Sequence, residues 1–127
     1  MGDFDRLQGR WRQVASSIDG GAEQAAAAGD EFAGELVAIF ERDLFRVVDT
    51  EGTLVLAGRF VLDESAHAID WIDSIGPDAG KPLLAIYELT ATTFAFAAAD
   101  TGMPRPTRIA PSAGITLRRF VRDPVRT

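Results

Sequence analysis

Apolar residues return at every second position in this chain, in short runs about ten residues apart, and that rhythm leaves few folds open. In the clearest run Leu54, Leu56, Gly58, Phe60 and Leu62 alternate with Val55, Ala57, Arg59 and Val61. In another, Thr92, Phe94, Phe96 and Ala98 alternate with Thr93, Ala95 and Ala97. A period of two with one strongly apolar face belongs to a sheet that buries one side. The reading predicts eight strands, over 11–18, 35–40, 44–48, 53–62, 68–74, 83–89, 93–98 and 115–121. Turn signals such as Asp19-Gly20-Gly21, Glu51-Gly52 and Thr101-Gly102 separate them. The Ala-rich stretch 22–30 is too short for a secure isolated helix and reads as a long connection with at most one helical turn.

No long helix is available to cover the apolar face. Eight consecutive strands cover it by closing on themselves, which also removes both exposed edges. The expected fold is therefore all-β, an eight-stranded antiparallel up-and-down barrel, in one domain spanning 1–127. A β-sandwich satisfies the same strand count. Eight strands is also the number at which a barrel interior is filled by side chains or holds one small ligand. The expected inward set is Leu54, Leu56, Phe60, Leu83, Tyr87, Phe94, Phe96, Ile115 and Leu117. All but the last two are the expected ligand-binding residues.

Composition narrows the chemistry. A net charge of -6 disfavours nucleic acid and anionic lipid, which both need a basic face. The absence of cysteine removes disulfides, thiolate nucleophiles and Cys-based metal sites, and one histidine supports no His-rich centre. No metal and no cofactor are expected. The opening residues lack a signal-peptide apolar core, and no apolar run approaches the roughly 18 residues of a spanning helix. A soluble, cytoplasmic protein is the expectation.

Three side chains are the candidate acid–base groups. His67 alone titrates near neutrality without help, and serves either as an acid or base at a pocket mouth or as an exposed turn residue. Asp70 and Asp73 stand on opposite faces of one strand, so one of them gains a raised pKa if it turns into the barrel, and Asp70 is otherwise a strut paired with Arg105. Tyr87, the only tyrosine, orients a ligand from an apolar cavity or is a core aromatic with its hydroxyl satisfied at the rim. Arg46 and Arg59 would form an anion site if both faced inward, but alternation sends Arg59 to solvent. The segment 76–80 reads as a turn, and the Pro-rich loop 103–111 is long enough to cover one barrel end.

The run Leu7-Gln8-Gly9-Arg10-Trp11 resembles the Gly-x-Trp opening of lipocalins. The rest of the chain resembles, more narrowly, a functionally uncharacterised bacterial lipocalin-like family abundant in planctomycetes. The matching residues are Asp19-Gly20, Ile69-Asp70, Gly80-Lys81, Leu83, Ile86-Tyr87-Glu88-Leu89, Arg105-Pro106-Thr107 and Arg119, in the family's order from about residue 6 to residue 121. Arg10 stands where the family has threonine, and Arg108-Ile109 where it commonly has an acid and phenylalanine. The resemblance implies that Trp11 closes the barrel floor beneath an arginine of the last strand. Alternation with Ile115 and Leu117 assigns that role to Arg119, and a guanidinium on an indole face is worth about 0.5–2 kcal/mol.

The function expected first is binding of a small hydrophobic molecule inside the barrel. A cofactor-independent cyclase or isomerase of secondary metabolism is the first alternative, since folding a reactive substrate needs shape more than a catalytic motif. A filled barrel that serves protein interaction is the second. A void of roughly 300 Å³ or more favours the first two. Oligomeric state is not legible.

Overall fold

A computed structural model of the chain describes residues 2–21, 24–25, 36–49, 51–76 and 79–123. A five-residue helix α1 (Asp3–Leu7) precedes β1 (Gly9–Ile18), β2 (Gln24–Ala25), β3 (Val37–Glu41), β4 (Leu44–Val48) and β5 (Leu54–Asp63). A single 3-10 turn (Glu64–Ala66) leads to β6 (Ala68–Asp73), and β7 (Pro82–Leu89), β8 (Thr93–Ala99) and β9 (Ile115–Arg122) complete the chain. From β3 onward each strand pairs antiparallel with the next, β1 pairs with β3, and β9 returns to pair with β1. The eight long strands thus form a closed antiparallel barrel. It is closure, not stacking of two sheets, that buries the apolar face. The two-residue β2 hangs on β1 with Ala15 opposite Ala25; the remainder of the 22–30 connection lies outside the described residues.

The barrel is packed with rings. Phe94 sits at its centre, with Trp11, Phe40, Phe96 and Phe120 all at centroid distances of 5.8–5.9 Å. Phe40 meets Phe60 edge-on at 5.5 Å and Phe45 meets Trp71 at 5.1 Å. Tilted and edge-on contacts of this kind are favoured by the ring quadrupoles. Gly58 makes room for them: a Cβ there would come 2.9 Å from the Phe45 ring and 2.3 Å from the Ile72 carbonyl oxygen. Neither approach is tolerable, so glycine is required by close packing rather than by turn geometry.

Two expectations are corrected. Along β9 the inward row is Thr116, Arg118 and Phe120, not Ile115, Leu117 and Arg119. The mistake has a physical cause. Ala97 and Ser17, the partners of Leu117, are buried with it on the barrel's outer side, so both faces of β9 carry apolar burial and hydropathy cannot choose between them. A bulge in β1 between Gln13 and Ala15 sets this register against β9. The second correction concerns the 103–111 loop. Instead of covering an end, it lays Arg105 along the outer wall, with Nη1 2.7 Å from the Ala85 carbonyl, to which it donates, and 2.7 Å from Asp70 Oδ1. Helix α1 was not expected at all.

Candidate functional site

The two ends of the barrel differ. At one, α1 lies across the opening. Phe4 packs on Phe60 with centroids 5.9 Å apart, and Leu7 is fully buried. A helix of one turn has almost no intrinsic stability, and side chains from the barrel hold it. Trp11 Nε1 donates to the Leu7 carbonyl at 2.8 Å, the Tyr87 hydroxyl donates to Asp3 Oδ2 at 2.7 Å, and the Asp3 amide donates to Glu64 Oε1 at 2.8 Å. The Gln8 side chain bonds the backbone of Arg42 in both directions. Arg122 completes the closure: its guanidinium carbon lies 3.9 Å from the Trp11 ring centroid, Nη1 donates to the Gln8 carbonyl at 2.7 Å and Nη2 donates to the Arg6 carbonyl.

The arginine over Trp11 is therefore Arg122 and not Arg119. Alternation reached the wrong face of β9, and the required residue lies one inward step beyond Phe120. Gly9 has φ +110°, a conformation open to glycine alone at little cost, and it lets the chain turn from α1 into β1 directly before Trp11.

The other end holds a cavity of about 240 Å³. Phe40, Phe45, Trp71, Phe96 and Phe120 form its floor and lower wall, and Leu56, Val47, Leu83 and Ala98 the aliphatic wall above. Leu36, Val55, Asp100 and Thr116 stand near the mouth. Exposed Ile18, Leu54, Val55 and Ile75 ring the same end, at the tips of β1, β5 and the β6–β7 connection.

Five polar residues interrupt the apolar lining: Asp100 and Thr116 near the mouth, and three others farther in. Gln13, 2% exposed, comes from β1; Arg118 comes from β9, two residues before Phe120, the register partner of Gln13; Asp73, 9% exposed, comes from β6 across the barrel. Arg118 Nη1 donates to Gln13 Oε1 at 3.1 Å. Burial lowers the Arg118 pKa from its usual value, yet a guanidinium stays charged under any ordinary condition. Gln13 Nε2 and the Trp71 Nε1 of the same lining have no hydrogen-bond partner among the described residues.

The sequence-derived candidates scatter over this geometry. Leu56, Leu83 and Phe96 line the cavity. Leu54 lies on its rim, half exposed, where a register shift in the β4–β5 pairing ends the regular alternation. Phe60, Phe94 and Tyr87 belong to the packed core below. The Tyr87 hydroxyl is committed to Asp3 at the closed end, and burial followed by that hydrogen bond pushes its pKa above the ordinary tyrosine value. His67 is an exposed turn residue at the closed end, in the left-handed conformation, edge-on to Tyr87. Asp70 faces outward in its ion pair with Arg105. His67 and Tyr87 therefore touch, Asp70 is engaged elsewhere, and none of the three acid–base candidates lines the cavity. Arg46 pairs with Glu41 on the outer surface. Sequence reasoning missed Gln13 and Arg118, and of the two acids on β6 it favoured Asp70 where Asp73 lines the cavity; one signal for Arg118 was present, an arginine two residues before Phe120 in a strand whose neighbours alternate. Among the described residues no group of three His, Cys, Asp or Glu side chains forms a metal-binding cluster.

No family model and no curated protein matches the chain. Among solved structures the barrel is similar to a lipocalin-like protein from Bacteroides uniformis ATCC 8492, with a TM-score of 0.58 over 93% of this chain and 99% of that one. Sequence identity is 14%. At that identity the likeness speaks for the fold alone, which is a lipocalin-like barrel.

Proposed function

We propose that this lipocalin-like barrel binds one small, largely apolar molecule in the cavity at its open end. The observation that carries the reading is the cavity itself: about 240 Å³ of space inside a closed barrel whose opposite half is filled with interlocked rings. A barrel built only as a rigid interaction module gains nothing from leaving that space, because each lining atom forgoes dispersion contacts. The volume falls below the roughly 300–1,000 Å³ of drug-sized sites. The ligand is accordingly small, or it extends through the mouth past Val55 and Ile18. The apolar rim supports entry of such a molecule from that side. The order of motifs from Leu7-Gln8-Gly9 to Arg119 supports kinship with the uncharacterised bacterial lipocalin-like family.

Uptake of a neutral apolar fluorophore tests the reading. N-phenyl-1-naphthylamine should bind the folded protein at one site per chain with micromolar affinity. Leu56→Trp, which pushes an indole into the cavity, should abolish that uptake while leaving a cooperative thermal melt. A wild-type protein that takes up no neutral apolar probe at micromolar concentration would overturn the proposal.

A further inference from the structure

We infer that the cavity selects a small apolar monocarboxylate, held by Arg118 and Gln13 with its hydrocarbon part toward the mouth. The inference rests on the cavity being a binding site and adds the chemistry of its ligand. A guanidinium has five N–H donors in a planar fork that matches a carboxylate. Here one goes to the neutral Gln13 amide oxygen, and no carboxylate pairs with Arg118 among the described residues. A charge taken partly out of water without a counter-ion is costly. A chain selected for stability alone would place an aliphatic residue at position 118, amid Phe96, Phe120 and Ala98.

Gln13 sharpens the case. It is almost completely buried, its Oε1 is fixed by Arg118, and that bond leaves Nε2 as a donor with no partner among the described residues. A carboxylate seated on Arg118 has a second oxygen to accept from such a donor. Among the described residues Arg118 is the one cation of a lining that also holds the Asp73 and Asp100 carboxylates, so it has room for one further negative charge at most. A dianion such as a phosphate monoester would bring a second charge into a lining that already holds the Asp73 and Asp100 carboxylates, on a protein of net charge -6. A neutral alcohol of the same shape would leave the guanidinium uncompensated. The aliphatic wall above then sets the rest of the molecule, a short alkyl chain or a single ring by volume.

Matched pairs of probes test this. Hexanoate against 1-hexanol, and 3-phenylpropanoate against 3-phenylpropan-1-ol, are titrated into the full chain at neutral pH, with displacement of N-phenyl-1-naphthylamine as the readout. Each acid should bind at least roughly tenfold more tightly than its alcohol, as a charge-assisted hydrogen bond requires. Arg118→Gln should erase that preference and still take up the neutral fluorophore, which shows the barrel intact. A second measurement needs no variant: the carbon-13 carboxyl signal of labelled hexanoate should report a bound acid that stays ionised to lower pH than the free acid. Fluorophore uptake with equal affinity for acid and alcohol, a preference that survives in Arg118→Gln, or a bound acid that protonates at or above the pH of the free acid would each overturn the inference while leaving the cavity reading standing. Failure of every probe, the neutral fluorophore included, would overturn both.

Discussion

At the end closed by α1, the polar groups brought in by the strands find partners within the chain: the Trp11 indole, the Tyr87 hydroxyl, the Gln8 amide and the Arg122 guanidinium each bond a named atom of α1 or its neighbours. At the open end the same types of group are less completely matched. Arg118 has one neutral partner, and Gln13 Nε2 and Trp71 Nε1 have none among the described residues. The contrast between the two inward arginines of β9 is instructive. Arg122 spends its charge on backbone carbonyls and an aromatic face, so it fastens structure. Arg118, four residues earlier on the same inward row, retains donors and faces a cavity, so it is available to a ligand.

Substitutions at the two ends should separate these roles, and the largest effect belongs to the closed end. Trp11→Ala removes a fully buried indole, its bond to Leu7 and the platform for Arg122, and should cost about 3–5 kcal/mol in chemical denaturation. An unchanged midpoint would show that this end does not hold the barrel shut.

Arg122→Met comes next. It deletes the cation over Trp11 and two charge-assisted bonds to carbonyls, and should cost about 2–3 kcal/mol with a shift in tryptophan emission. A loss as large in Arg119→Met, with none at Arg122, would reverse the assignment of the stacked arginine.

A smaller loss, about 0.5–1.5 kcal/mol, is expected for Tyr87→Phe, the net worth of its bond to Asp3. This residue also gives the closed end a pH signature. Because the folded state raises the Tyr87 pKa above its ordinary value of 10.0, folding favours the protonated phenol. Its contribution is fully present below pH 10 and declines as pH rises above that value. Melting temperatures of the wild type should fall above about pH 10 more steeply than those of Tyr87→Phe; parallel curves would show that the hydroxyl is not coupled to folding.

The smallest effect on stability should come from the open end. Gln13→Leu combined with Arg118→Leu replaces a poorly compensated polar pair with hydrocarbon beside Phe120, and should leave stability unchanged or raise it by about 1 kcal/mol. A loss comparable to that of Arg122→Met would mean that Arg118 is a structural cation like its neighbour, and the contrast between the two ends would collapse.

The sequence determined the barrel. Period-two patterning in eight runs, turn residues at their joints and the lack of any covering helix left closure as the way to bury the apolar face, and strand limits read from Leu44–Val48 onward match the structure to within a residue or so. Trp11 as a buried plug and Asp70 beside Arg105 were also legible, each from local pattern and resemblance. Tertiary structure alone decided the rest. Which face of β9 turns inward depends on a bulge in β1 and on burial outside the wall, neither of which leaves a trace in the hydropathy of Ile115–Arg122. The helix Asp3–Leu7 has no local signal because its stability comes from Trp11, Tyr87 and Arg122, up to 116 residues away in sequence. The cavity was hidden for the same reason: whether a barrel interior is full or hollow depends on how Phe40, Phe94 and Phe120 pack across strands that only the fold brings together. Alternation names the residues that face inward, and packing decides how much space they leave.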